Sequence, residues 1–197
     1  MSLPAVEWLL ALALQFAPPS EALQFPGYVE TADAARLRYI NIAEDIAAVV
    51  QAHEALPGLT RSESAAFVLA MSIGETALAL DADKGPCFQG RHLGRNYAAR
   101  CDGGRAVGVL QVQLRAGRAE HFGDRRKLLT AGLKALRGSL WACWRLPAQE
   151  RLAAYGSGSC DNDGGKAGSR KRFALFGQIL NARPAPVWPA TPPSAKP

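Results

Sequence analysis

Glu75 is the residue of this chain best placed for acid–base chemistry. It closes a mostly apolar segment and repeats at four-residue spacing with Phe67 and Met71, so a helix sets all three on one face. A carboxyl group on a buried face loses hydration, which disfavours the charged form and raises its pKa. An acid kept protonated near neutral pH can protonate the leaving oxygen of a glycosidic bond. Asp81 and Asp83 follow closely in the chain and are expected to raise that pKa further by repulsion. The bland alternative is a solvated Glu at a frayed helix end, and on periodicity alone it is the commoner case.

The elements that must position Glu75 can be read from caps and breakers. Thr60-Arg61-Ser62-Glu63 is a capping box and opens its helix. Before it, Asp33 can cap a long helix running to about Ala52, with Leu37, Ile40, Ala43, Ala47 and Val50 on its apolar stripe. Pro57-Gly58 ends that unit. Residues 77–104 have no clear period, and Asp102-Gly103-Gly104 signals a turn into a short β-like run from Arg105 to Val112. Helices follow near 125–131, 133–144, 148–155 and 168–182. The expected organisation is an apolar N-terminal segment and linker over 1–30, a domain over 31–183, and a Pro-rich disordered tail over 184–197.

Composition bounds the class. The chain has 197 residues, suited to one domain, and 48% are hydrophobic, enough for a core. An Ala-rich, β-branched-poor composition favours helices. The longest apolar run, Trp8–Leu14, is far shorter than the roughly 20 residues needed to cross a bilayer. Leu3–Ala17 reads either as a secretory signal, with Ser20-Glu21-Ala22 as a weak cleavage site, or as a packed helix; no Lys or Arg precedes Arg36. The net charge is +6 but uneven: residues 1–83 hold 3 basic against 11 acidic side chains, and residues 84–197 hold 20 against 6. That asymmetry suits an anionic partner, nucleic acid or another polyanion.

Cys87, Cys101, Cys143 and Cys160 allow three connectivities, and the two short intervals favour local bridges 87–101 and 143–160. Each loop of about 15 residues would add roughly 3 kcal/mol. His92 and His121 lie near by, but without a C-x-x-C pair a structural zinc site is not expected. Disulfides imply an oxidising compartment.

Three pieces of the chain, taken with their order, resemble a family. Ile73-Gly74-Glu75-Thr76, Gly108-Val109-Leu110-Gln111-Val112 and Ala154-Tyr155-Gly156-Ser157-Gly158 look like the ordered motifs of soluble lytic transglycosylases, peptidoglycan-cleaving relatives of goose-type lysozyme. The resemblance spans residues 33–182 and implies a lysozyme-like α+β fold, predominantly helical, with a small β-hairpin region; the two disulfides are expected from the cysteine spacing. It implies cleavage of the bond between N-acetylmuramic acid and N-acetylglucosamine by Glu75 alone, acting as acid and then as base toward the muramic C6 hydroxyl. The product would be a 1,6-anhydro end, with no cofactor and no metal. Thr76, Gly108, Gln111 and Tyr155 would line the glycan site. Gly108 would let a sugar approach the backbone, Gln111 would offer a donor and an acceptor, and Tyr155 would hydrogen-bond Glu75. The partner would be peptidoglycan strands rather than nucleic acid, met in the periplasm or outside the cell by a monomer without a transmembrane segment. Leu110 stands where the family has Met, Gly156 where it has Asn, and Gly74 precedes the Glu.

Two competitors remain at this level. A hydrolase of the same fold would use water, oriented by Asp81, Asp83 or Asp102. A glycan- or nucleic-acid-binding domain would not turn over at all. Asp161-Asn162-Asp163-Gly164-Gly165 reads as a turn rather than a calcium loop. His53 ends a helix, and Arg125-Arg126-Lys127 and Arg170-Lys171-Arg172 read as solvated helix faces.

Overall fold

The computed structural model describes residues 3–19, 29–84, 101, 105–113 and 123–188. Cys87, His92, His121, Asp102, the weak cleavage site at 20–22 and tail residues 189–197 lie outside them. The described chain is mostly helical: α1 (Leu3–Phe16), α2 (Ala32–Ala52), α3 (Arg61–Thr76), the short α4 (Leu80–Lys84), α5 (Arg125–Ala142), the one-turn α6 (Ala153–Ser157) and α7 (Asp163–Ala182). A single-turn 3-10 helix, Ala148–Glu150, precedes α6. Its sheet has two antiparallel strands, β1 (Ala106–Val107) and β2 (Val112–Gln113), with Val107 opposite Val112.

The predicted β-like run thus folds back on itself, because Gly108 takes φ +69° and allows a turn between two short strands.

α3 is the hub. From Ser64 to Ile73 every residue is buried, the pattern of a helix packed on all sides. Its capping box is intact: the Glu63 amide donates to Thr60 Oγ1 at 3.2 Å, and the Thr60 amide donates to Glu63 Oε2 at 2.7 Å. Ala65, Ala66 and Ala70 are small enough for close helix approach, and Phe67 meets Phe173 and Phe176 of α7 edge-on at 5.2 and 5.0 Å. α1, α2 and α7 all pack on α3.

Several expectations need correction. α2 is capped by Thr31, whose hydroxyl accepts from the Ala34 amide, and Asp33 falls in its first turn. The buried stripe of α2 runs through Tyr39, Ile42, Ala43 and Ile46, leaving Leu37 mostly exposed. The helices expected at 125–131 and 133–144 are one, α5, since Gly132 lets Leu110 pack where its Cβ would stand rather than breaking the helix. α7 begins at Asp163, with Asn162 accepting from the Gly165 amide as its cap, so the expected turn holds at Asp161 and Asp163–Gly165 are already helix. The tail is not loose from Pro184 onward: Ser62 donates to the Pro186 carbonyl at 3.0 Å, and Trp188 packs on the core. α1 contributes Trp8, Leu9, Leu12 and Ala13 to the same core, and Tyr39 donates to the Ala17 carbonyl at 2.7 Å. Among the described residues no helix is long and apolar enough to cross a membrane.

Cys143 and Cys160 form a disulfide, joining the end of α5 to the segment after α6. The other predicted bridge involves Cys87, outside the described residues. Ion pairs fasten the remaining edges. Arg125 grips Asp83 at 2.6 and 2.8 Å and Asp45 at 2.6 Å, tying α5 to α4 and α2. Burial opposes the Arg125 charge, but hydrogen bonds and attraction from Asp83, then Asp45, hold it firmly protonated.

Candidate functional site

Glu75 occupies the last turn of α3, and the chain leaving it is tightly held. Ala77 and Leu78 both take the left-handed conformation, with φ of 49° and 54°. Non-glycine residues seldom do so in succession, and the surroundings must compensate. Thr76 Oγ1 accepts from the Leu78 amide at 3.2 Å, and Arg38 Nη1 donates to the Leu78 carbonyl at 2.7 Å. Arg38 is itself buried and paired with Glu30. Glu75 is therefore presented from a rigid corner.

Three sequence-distant segments meet at this corner. Thr76 is buried, and its hydroxyl is shared between the Ser72 carbonyl at 2.8 Å and the Val109 carbonyl at 3.3 Å. It joins α3 to the hairpin turn. Tyr155 on α6 donates its hydroxyl to the Leu110 carbonyl of the same turn. That phenol has one proton, committed to Leu110, so Tyr155 does not donate to Glu75 as expected. Burial, then the Glu75 charge, push the Tyr155 pKa well above its ordinary range, with Arg172 opposing. The two side chains are thus electrostatic neighbours.

Gly108 and Gln111 bracket the turn. The Gln111 amide and its side-chain Nε2 each donate to the Gly108 carbonyl at 3.0 Å. A Cβ on Gly108 would stand 3.0 Å from Leu128 Cδ1, so in that direction the glycine faces Leu128. The glycine serves the turn. Gln111 and Tyr155 line a cleft of about 1330 Å³, together with Lys127 and Lys134 of α5 and Gly156 after the tyrosine. Glu75 is not among the residues lining this cleft.

What lies between is Arg172, a residue missed in the sequence because its neighbours Arg170 and Lys171 made it look like part of a solvated face. Its Nη2 stands 2.6 Å from Glu75 Oε1, and the two side chains are only 18% and 14% exposed. The contact is an ion pair by distance. Glu75 Oε1 and Arg172 Nε have no hydrogen-bond partner of standard geometry. Three glycines make the seat. A Cβ on Gly168 would come within 2.7 Å of Arg172 Nη1, one on Gly156 within 3.5 Å of the same atom, and one on Gly74 within 3.6 Å of its Cγ. Gly74 and Gly156, unexplained in the sequence, are the two sides of the channel through which Arg172 reaches Glu75.

The balance at Glu75 follows. Burial raises its pKa, and Arg172 lowers it by charge and contact, with burial the larger effect. Asp81 and Asp83 are not among the causes: Asp83 is neutralised by Arg125. The predicted elevation stands, but for desolvation alone. Among the described residues no group of His, Cys, Asp and Glu could hold a metal ion.

No family model, no curated protein and no solved structure matches the chain.

Proposed function

We propose that this chain cleaves the β-1,4 bond between N-acetylmuramic acid and N-acetylglucosamine in bacterial peptidoglycan, in a lysozyme-like fold, leaving 1,6-anhydromuramic ends. The observation that carries the reading is the convergence of its three motifs: Thr76 bonds the Val109 carbonyl, Tyr155 bonds the Leu110 carbonyl, and both links close around Glu75. A chance scatter of short motifs need not meet through direct side-chain bonds.

The chemistry asks little else of the protein. Glu75, whose acid form is favoured by burial, gives its proton to the glycosidic oxygen as the C1–O bond breaks. The substrate's own N-acetyl group can assist at C1, as in glycosidases that use no carboxylate nucleophile. The Glu75 carboxylate then takes the C6 hydroxyl proton while that oxygen bonds to C1, and the acid is restored. Gln111 and Tyr155 border the groove that would hold the strand, and Lys134 suits its peptide carboxylates. The Cys143–Cys160 bridge fits a periplasmic or extracellular place of work.

A second reading rests on the Arg172 ion pair. A carboxylate permanently neutralised by a guanidinium is a structural pair, and the domain would then bind glycan without turnover. Purified sacculi decide. Wild type should clear them and release muropeptides lighter by one water than hydrolysed ends. Glu75→Gln should clear them about 10²–10⁴-fold more slowly. Unchanged clearing by that variant sinks the proposal, and products with hydrolysed ends would make the enzyme a muramidase.

A further inference from the structure

Resting on that reading, we infer that Arg172 is a positioning residue that gates Glu75: in the free protein it holds the carboxylate, and a carboxylate on the bound glycan draws it away, so that Glu75 takes up the proton it must donate.

The geometry leaves the guanidinium with capacity to spare. A guanidinium has five N–H donors and pairs best with a carboxylate through two parallel bonds. Here the closest approach is 2.6 Å, at Nη2, and Nε is without a hydrogen-bond partner. A second anion therefore has a donor of this guanidinium to engage. Gly156 separates the two: it is exposed and lines the cleft beside Tyr155, and a Cβ on it would stand 3.5 Å from Arg172 Nη1, so the guanidinium lies behind that residue. Because Gly156 has no side chain, nothing on that residue blocks an incoming carboxylate. In the same cleft Lys127 is paired with Asp124 at 3.2 Å, and Lys134 adds a positive charge that favours an anionic strand over a neutral one.

No other described charge can set the Glu75 proton. Tyr155 faces it from α6 but stays neutral, its proton committed to Leu110. The hairpin from Ala106 to Gln113 carries no ionisable side chain, and Arg61 and Glu63 sit at the opposite end of α3. Arg172 from α7 is left as the control. The exchange balances: one substrate carboxylate replaces Glu75 on the guanidinium, and Glu75 gains one proton from solvent.

The full-length protein, carrying ¹³C-labelled glutamate, can be titrated by NMR without turnover, with two probes. One is the anionic disaccharide of N-acetylglucosamine and N-acetylmuramic acid; the other is neutral diacetylchitobiose. The muramyl disaccharide should raise the Glu75 midpoint by about one pH unit or more, the effect of losing a neighbouring cation. Diacetylchitobiose should leave it in place. Arg172→Gln should show the higher midpoint already in the free protein and respond to neither probe, whereas Arg172→Lys should keep a reduced response. A wild-type midpoint that does not move with the muramyl disaccharide, or that moves equally with both probes, overturns the gate. If Glu75→Gln is inactive on sacculi and the midpoint stays put, the gate alone fails; if Glu75→Gln stays active, the proposed function fails.

Discussion

Tyr155 donates its hydroxyl to the main-chain oxygen of Leu110, and through that bond α6 holds the hairpin turn against the end of α3. Removing it strands a carbonyl at the junction of the three segments. Tyr155→Phe should lower stability by about 1–3 kcal/mol, the cost of an unsatisfied partner, read as a lower midpoint in urea. Sacculus clearing should fall as well, because Gln111 shares the loosened turn. Full activity in a destabilised Tyr155→Phe protein would show that the turn need not be held for function.

Burial raises the folded-state pKa of Glu75 above its ordinary value of 4.5. For a raised acid, the folded protein holds more protons than the unfolded chain across the interval between the two pKa values. The contribution is therefore fully present below about pH 4.5 and is lost as pH rises through the folded value. Glu75→Gln cannot titrate. The stability of the Gln variant relative to wild type should thus improve as pH is raised from 4 toward 7, compared by urea unfolding at each pH. A difference that is flat with pH would mean Arg172 offsets burial, and a reversed one that it outweighs burial.

Gly165 sits where α7 crosses α6, and a Cβ there would come within 2.7 Å of the Ala153 carbonyl and 2.6 Å of Ser157 Oγ. The carbonyl cannot yield without moving α6. Gly165→Ala should cost upward of about 1 kcal/mol, in the range of an overpacked core. Gly177, further along the same helix, has open space around it, so Gly177→Ala should stabilise by about 0.5–1 kcal/mol. Thermal unfolding of the pair tests both signs in one helix.

The Cys143–Cys160 bridge closes a loop spanning 17 positions, and that loop contains α6 with Tyr155. The Cys143→Ser, Cys160→Ser double variant should be less stable by about 3 kcal/mol on the chain-entropy account. Its loss of activity should be steeper with temperature than that of wild type, since α6 is then held only by packing and hydrogen bonds. Equal melting temperatures for the two proteins would show that the bridge adds nothing to α6.

Local signals carried a good deal of this. The Thr60–Glu63 capping box, the Phe67–Met71–Glu75 stripe and the short Cys143–Cys160 interval are all written within a few turns of chain, and each is present in the fold. They needed only helical periodicity, side chains able to reach their own backbone, and a short loop to close. The departures share the opposite property. Thr31 rather than Asp33 caps α2, and Leu37 faces outward, because the packing of α1 and α3 sets the helix's rotation. Gly132 continues a helix because Leu110, distant in sequence, fills its surface.

Arg172 is the clearest case. Beside Arg170 and Lys171 it reads as a solvated charge, and nothing within a turn of it names a partner. Only the crossing of α3, α6 and α7 brings Gly74, Gly156 and Gly168 together into a channel narrow enough to aim that one guanidinium at Glu75. The chain alone placed an acid at the end of an apolar helix, in step with Phe67 and Met71. Its immediate partner was decided in three dimensions, because a close approach made by the absence of side chains leaves no mark on the residues that profit from it.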